Sequence, residues 1–459
     1  PADFLFFSRS RYTGAHSYEI CTRSASIILQ IHDKGKHIME TLQIGGVSAR
    51  QLADDFGTPL YVYDEDKIIA QAKDAMENFS SDMFKTEVAY ASKAFSSIAL
   101  FKLLAAQGLG FDAVSGGELY GMSRAGVDMS KVYFHGNNKS NKEIEEALEL
   151  GVGYFVIDNV MECRRLIEIA MEKHIQTKAL LRVNPGISAH THEYIMTAKP
   201  DSKFGIFIDD TEHIGQVIEL LAESSHVRLA GFHSHIGSQI MDARSFEKAI
   251  DTMTYFLAYV QREYGMEQTE LSIGGGFGIK YLEEDQPISL GQMCKTMVKY
   301  TERCIQEKDI SISKLITEPG RAMVGEAGYT LYTIGDRKRS GTKDYLFVDG
   351  GMSDNIRPAL YDAGYRAVLA EKYKEPAWHT YCIAGKNCES GDVLIDTIKL
   401  PEAKSGDLLA VYSTGAYGYS MASNYNRLGR PAVVFAGHGK ARVVIRRESY
   451  ADQYDLEIE

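Results

Sequence analysis

The sequence predicts an α/β protein, a (β/α)8 TIM-type barrel with a C-terminal all-β, Greek-key-like domain. Three observations carry this prediction. Eight short runs rich in β-branched and aromatic residues lie between residues 87 and 317, separated by segments of helical period. After Gly328 the texture changes to short strands divided by Gly, Pro and charged turns. At 459 residues the chain is too long for one ordinary domain and suits a barrel with an appendage.

Residues 1–38 mix aromatic, Ser, Arg and other polar residues without a stable period. They are expected to be a disordered extension or one foreign to the fold. Ordinary domain sequence begins at Met39. The run Thr-Pro-Leu-Tyr-Val-Tyr-Asp at 58–64 reads as a strand ahead of the barrel. Segment 39–64 is therefore assigned to the β domain, with the barrel (65–326) inserted into it and 327–459 completing it. Barrel strands are expected at 87–91, 110–114, 132–135, 154–157, 179–183, 228–234, 270–273 and 314–317. Helices are expected at 98–107, 118–125, 142–150, 161–173, 214–224, 244–264 and 292–307, where apolar residues recur at spacings of three and four. Ile98, Phe101, Leu100, Leu103 and Leu104 are one such set. A doubly wound sheet is the rival architecture, but it usually has fewer strands. Beyond Gly328, strands are expected at 329–334, 345–348, 393–395, 408–412, 432–434 and 442–445, with a helical pattern only at 420–425.

Composition narrows the function classes. Lys plus Arg total 50 against 62 for Asp plus Glu, a formal net charge of −12, and there is no basic run. Nucleic acid and anionic membrane are therefore poor partners. No apolar stretch reaches the roughly 20 residues that a spanning helix needs. Six cysteines at irregular spacing are too sparse for a disulfide scaffold, so a reducing cytoplasm is expected.

In such barrels the active site lies at the C-terminal ends of the strands. The unusual residues of this chain cluster there. The strand ends read Tyr90-Ala91-Ser92-Lys93, Asp112-Ala113-Val114-Ser115-Gly116-Gly117-Glu118, His135-Gly136-Asn137-Asn138-Lys139 and Arg182-Val183-Asn184-Pro185. Later ends read His233-Ser234-His235-Ile236-Gly237-Ser238, Gly274-Gly275-Gly276-Phe277-Gly278 and Glu318-Pro319-Gly320-Arg321.

Each feature has a plain alternative. Lys93 can be a nucleophilic amine with a depressed pKa, or a solvated surface lysine. The 274–278 glycines can let backbone N–H groups approach an anion, or make a tight turn. They do not complete a dinucleotide fingerprint, because Ile279 occupies the third glycine position. Ser238 with Gly237 and Gly276 can cradle one phosphate. His233 and His235 share a strand face, and can bind a metal or stack on a flat ring. No metal is expected, since later strand ends add Glu318 but no further histidine. Glu318 can hold a protonated ring nitrogen and Arg321 a carboxylate, or the two can form a structural ion pair. An amine, a phosphate cradle, a stacking imidazole and a carboxylate for a pyridinium together describe pyridoxal 5′-phosphate.

At these motifs the chain resembles the diaminopimelate decarboxylases of the alanine-racemase-like group, from about Thr58 to Glu448. Phe-His-Gly-Asn-Asn-Lys-Ser at 134–140, Ala-His-Thr-His-Glu-Tyr at 189–194 and Asp354 to Tyr361 separate it from ornithine- and arginine-type relatives. The resemblance implies decarboxylation of meso-2,6-diaminopimelate to L-lysine and carbon dioxide on pyridoxal phosphate. Lys93 would condense with the cofactor's aldehyde, His235 stack on its ring and Glu318 pair with its nitrogen. Ser238, Gly276, the backbone of Glu318, Pro319, Gly320 and Arg321, and Tyr417 would hold the phosphate, with Asp112 and Arg182 behind. Arg321, Arg357 and Tyr361 would clamp the substrate's far carboxylate, Tyr417 also touching substrate, and Glu389 would meet the far ammonium. Cys388 would donate the proton. Cys388 and Glu389 would come from the other subunit, so the resemblance implies a homodimer with shared sites. The remaining cysteines, at 21, 163, 294, 304 and 382, read as structural.

The chemistry is self-consistent. Loss of an α-carboxylate leaves a carbanion that a protonated pyridinium delocalises, and a nearby thiol can deliver the new proton. The rivals are a decarboxylase of carboxynorspermidine, ornithine or arginine, a non-catalytic pyridoxal phosphate carrier, and a metal hydrolase. Arg357 and Cys388-Glu389 disfavour the first, the β domain and Cys388 the second.

Overall fold

A computed structural model describes residues 41–187, 202–267 and 269–458. Eight strands, Lys85–Ala91, Gly110–Ala113, Val132–Phe134, Tyr154–Ile157, Thr177–Asn184, Val227–His233, Thr269–Ser272 and Ile312–Thr317, pair in parallel in that order. Pairing of the eighth with the first, from Lys314 opposite Lys85 to Thr317 opposite Val88, closes the barrel. Every expected barrel strand and helix is present, with shifted ends. Among the described residues, six of the seven connecting helices begin at side-chain caps that the sequence carries in plain view; Arg244–Tyr264 does not. Ser97, Ser115, Ser140, Asn159, Asp210 and Ser289 each accept a backbone N–H of the first helical turn. Each such cap contributes about 1 kcal/mol. At Ser140 the Glu143 side chain reaches back to complete a capping box.

Strand alternation sorts the side chains. Phe111, Phe134, Phe155 and Leu181 face the helices in the main core, while Ala89, Tyr133, Tyr154, Val156, Leu180, Ala230 and Ile316 pack together as a separate cluster. Two residues beyond this cluster, on the same face, come Ala91, His135, Arg182 and Glu318. The strand period thus delivers the polar strand ends to one mouth.

The second sheet is built around Leu60–Asp64, which runs antiparallel to Gly328–Ser340 and parallel to Ala432–Gly437. Its order is Val393–Leu400, His379–Ala384, Lys343–Val348, Gly328–Ser340, Leu60–Asp64, Ala432–Gly437 and Lys440–Ile445. Leu408–Tyr412 and Ala367–Leu369 join it beside Gly328–Ser340. Chain from both sides of the barrel therefore forms one sheet.

Several elements differ from expectation. Helices Ala49–Phe56 and Glu65–Asn78 precede the barrel, and strands Ala367–Leu369 and His379–Ala384 were not expected. The helical pattern at 420–425 resolves into two single turns, Tyr419–Met421 and Tyr425–Arg427. Extended backbone at Ala422 and the positive φ of 54° at Asn426 prevent one continuous helix. Among the described residues, no helix is long and apolar enough to cross a membrane.

One buried ion pair braces the mouth. Lys139 Nζ bonds Glu162 Oε1 at 2.7 Å and donates to the carbonyls of Gly136 (2.9 Å) and Val156 (2.8 Å). Both side chains are 1% exposed. Glu162→Ala strands the ammonium and is expected to cost about 3–5 kcal/mol in a urea titration. Replacing both residues with Met should be close to neutral. An unchanged midpoint in the single variant would contradict this account.

Candidate active site

The barrel mouth opens into a cavity of about 720 Å³. Its lining includes Lys93, Asp112, Arg182, His235, Ser238, Gly276, Glu318, Gly320, Arg321, Arg357, Tyr361 and Tyr417. Pro319 lies just behind it, its carbonyl accepting the N–H of Ala91 at 3.2 Å. His190 and His192 fall outside the described residues, as does Cys21.

Lys93 follows the first strand in a single turn, Ser92–Ala94. The carbonyl of Ala94 accepts Tyr417 N at 2.8 Å and Ser420 Oγ at 3.0 Å, so a loop of the β domain seats this turn. Lys93 lies deep in the molecule, yet its side chain is exposed because it stands in the open cavity. A depressed pKa is not what the structure supports. Burial pushes the amine down, but Asp112, with Tyr417 and Glu318, outweighs both burial and Arg182 and raises it.

Glu318 is the hub of the floor. Its Oε1 accepts Ser272 Oγ at 2.8 Å, and its Oε2 lies 3.0 Å from His233 Nε2. His135 Nε2 is 3.5 Å from Oε1. Burial alone would push this carboxyl up; the two imidazoles and their hydrogen bonds pull it well below the usual range, so it is an anion. Burial holds both imidazoles below their ordinary value. Burial also lifts Asp112, although His135 and Lys93 pull it back. The two histidines of the strand end have different partners: His233 turns to Glu318, while His235 Nδ1 accepts the N–H of Gly275 at 3.2 Å. His235 is held neutral by burial, then by Lys93 and Arg182. A neutral imidazole with a fixed ring can stack on a flat aromatic.

Two arginines, Arg321 and Arg357, also line the cavity. Arg321 Nη2 donates to Ser238 Oγ at 2.9 Å, and its guanidinium lies 4.8 Å from the Tyr417 ring centre. Arg357, on helix Arg357–Tyr361, lies 5.8 Å from the rings of both Tyr361 and Tyr417. The late glycines are there for close approach. A Cβ on Gly276, at φ +110°, would sit 2.3 Å from the Gly237 carbonyl, and one on Gly275 would meet the Glu318 carbonyl at 2.0 Å.

These residues fit pyridoxal phosphate. Asp112 Oδ1 and Arg321 Nε are buried without a hydrogen-bond partner among the described residues, an anion and a donor waiting for a ligand. Sequence reasoning missed His135, His233 and Ser272 as partners of Glu318, and Tyr281 beside the arginines. Their signal was present: alternation from Tyr133 points His135 inward, and Tyr281 follows the glycine loop directly.

Cys388 and Glu389 are exposed and do not line this cavity. Their loop is nonetheless ordered by hydrogen bonds. Asp392 accepts the N–H groups of Asn387 and Met352, each at 2.7 Å, and Cys388 N donates to Asn426 Oδ1 at 2.7 Å. The other described cysteines are buried, and burial pushes the thiols of Cys163 and Cys294 up to about 12.

Comparison with known proteins places the chain. Residues 65–325 match the family model described as the pyridoxal binding domain of pyridoxal-dependent decarboxylases. A diaminopimelate decarboxylase of Halalkalibacterium halodurans is 48% identical, covering 91% of this chain and 95% of that protein. One from Bacillus subtilis is 47% identical at the same coverage. The crystal structure of diaminopimelate decarboxylase from M. jannaschii, also known in complex with L-lysine, superposes with a TM-score of 0.85 at 33% identity, covering 91% of this chain and 96% of that one. With 47–48% identity over nearly the whole length of these relatives and a family model matching more than half of the chain, the chain belongs to the diaminopimelate decarboxylase family of pyridoxal-dependent decarboxylases.

Proposed function

We propose that the protein decarboxylates meso-2,6-diaminopimelate to L-lysine and carbon dioxide with pyridoxal 5′-phosphate held at the barrel mouth. The observation that carries this reading is one cavity bringing Lys93, the Glu318 carboxylate and the Arg321–Arg357 pair together. When bound, the cofactor supplies a conjugated pyridinium that accepts the electron pair left on the α-carbon as carbon dioxide departs.

The chain's own residues do the rest. Lys93 is the amine that would hold the cofactor through its aldehyde. Glu318, ionised and fixed by Ser272 and His233, holds a proton on the ring nitrogen. His235 stacks on the ring. Ser238, Gly276, the backbone of Glu318 to Arg321 and Tyr417 hold the phosphate, with Asp112 and Arg182 behind them. Arg321, Arg357 and Tyr361 grip the far carboxylate, with Tyr417 beside it.

The far ammonium and the final proton remain to be served. Glu389 and Cys388 of a second copy fill these roles. Glu389 meets the ammonium, and the Cys388 thiol gives its proton to the α-carbon. The protein is thus a homodimer with shared sites. A reduced thiol is then a requirement, which favours a reducing cytoplasm. Residues 65–326 form the barrel domain in this reading, with 39–64 and 327–459 making the β domain.

Purified protein supplied with pyridoxal phosphate is expected to release carbon dioxide from meso-diaminopimelate and accumulate L-lysine, read by gas evolution and amino-acid analysis. A cofactor-loaded protein that leaves the substrate intact would sink the substrate assignment.

A further inference from the structure

Tyr281 enters the same cavity from the segment after the glycine loop. Its hydroxyl accepts a hydrogen bond from Arg321 Nη1 and a second, at 3.4 Å, from Arg357 Nη1. The two guanidinium carbons lie 5.6 and 5.4 Å from its ring centre. Among the described residues neither arginine has a carboxylate ion-pair partner. Two buried cations this close repel one another. The Tyr281 oxygen lies between them and is bonded by both.

The hydroxyl is placed independently of the arginines. Tyr281 N donates to Asp285 Oδ2 at 2.9 Å, and the Tyr281 carbonyl accepts Arg366 Nε at 3.3 Å. Its ring packs edge-on against Tyr365, centres 5.4 Å apart. The arginines, by contrast, come from different parts of the chain. Arg321 opens a short helix after the eighth barrel strand, and Arg357 sits on a helix between strands of the second sheet. The Tyr417 ring also lies beside both, 4.8 and 5.8 Å from their guanidinium carbons, but among the described residues the Tyr281 hydroxyl is the group that accepts a hydrogen bond from each.

We propose that Tyr281 is a positioning residue that joins Arg321 and Arg357 into one clamp for the substrate's far carboxylate, and so sets the preference for amino acids over plain amines. The inference rests on the function proposed above. Recognition of a carboxylate by two guanidiniums needs their donors aligned with its two oxygens. A ligand without that carboxylate does not sense the alignment, though it does sense a damaged cavity.

The test compares wild type with Tyr281→Phe, both as cofactor-loaded enzyme. Binding of L-lysine and of 1,5-diaminopentane, the same chain without the carboxylate, is followed by the cofactor's absorbance. In the variant, lysine is expected to bind about tenfold more weakly and diaminopentane within about twofold of wild type. KM for meso-diaminopimelate should rise with lysine's dissociation constant while kcat changes by less than about threefold, since the clamp holds ground and transition states alike. Equal weakening of both ligands would mean general damage and overturn the proposal, as would unchanged lysine binding. A wild type that does not prefer lysine to diaminopentane would also overturn it. Failure of the functional reading itself would show separately, as wild-type enzyme without turnover.

Discussion

Lys93→Ala is expected to lose the visible absorbance of anchored pyridoxal phosphate and to lower turnover by on the order of a thousandfold or more. The cavity contains no equivalent amine, since Lys93 is its sole lysine among the described lining residues. Its electrostatics add a pH signature. The amine's pKa is raised, chiefly because Asp112 outweighs burial, so below that value the folded protein holds Lys93 as an ammonium. Only the deprotonated amine attacks an aldehyde. Cofactor loading into the empty protein should therefore accelerate as pH rises towards that raised pKa, and Asp112→Asn should move the rise to lower pH by removing the anion. Absorbance that survives in Lys93→Ala would assign the anchor to another lysine. A loading rate independent of pH would mean that Asp112 does not govern the amine.

The barrel was legible because its signals are local. Alternation, cap residues and strand-end motifs all lie within a few residues of what they specify. Helices Ala49–Phe56 and Glu65–Asn78 begin at the caps Ser48 and Asp64, but they lie ahead of the repeated strand–helix rhythm that marks the barrel. Strand His379–Ala384 begins with exposed His379 and Thr380 and gains its place by pairing across the sheet with Lys343–Val348 and Val393–Leu400. That information is not within the segment. The site divides in the same way. Lys93, Glu318 and Arg321 announce themselves at strand ends. The direction of the Lys93 shift depends on Asp112 and Tyr417, 19 and 324 positions away in the chain, and motif reading cannot sum such fields. Tyr281 likewise looks like one more packing tyrosine until two guanidiniums are seen to converge on it.

Cys388→Ala is expected to lower turnover by roughly two to three orders of magnitude, the scale of a lost proton donor, while cofactor absorbance stays near wild type. The physical case rests on a contradiction within one chain. Cys388 and Glu389 sit side by side on a loop ordered by Asp392 and Asn426, yet they are exposed and do not line the cavity of their own chain. The arrangement becomes sensible if a second copy receives both groups. Two inactive variants should then rescue one another. When Lys93→Ala and Cys388→Ala chains are dissociated and reassembled together, about half of the dimers are mixed and each mixed dimer has one intact site of two, so about a quarter of wild-type activity should return. No donor within the same subunit can produce that result, since every chain in the mixture lacks one of the two groups. Mixed dimers that form, as tagged chains co-purifying would show, but remain inactive would return Cys388 to its own subunit or remove it from the chemistry.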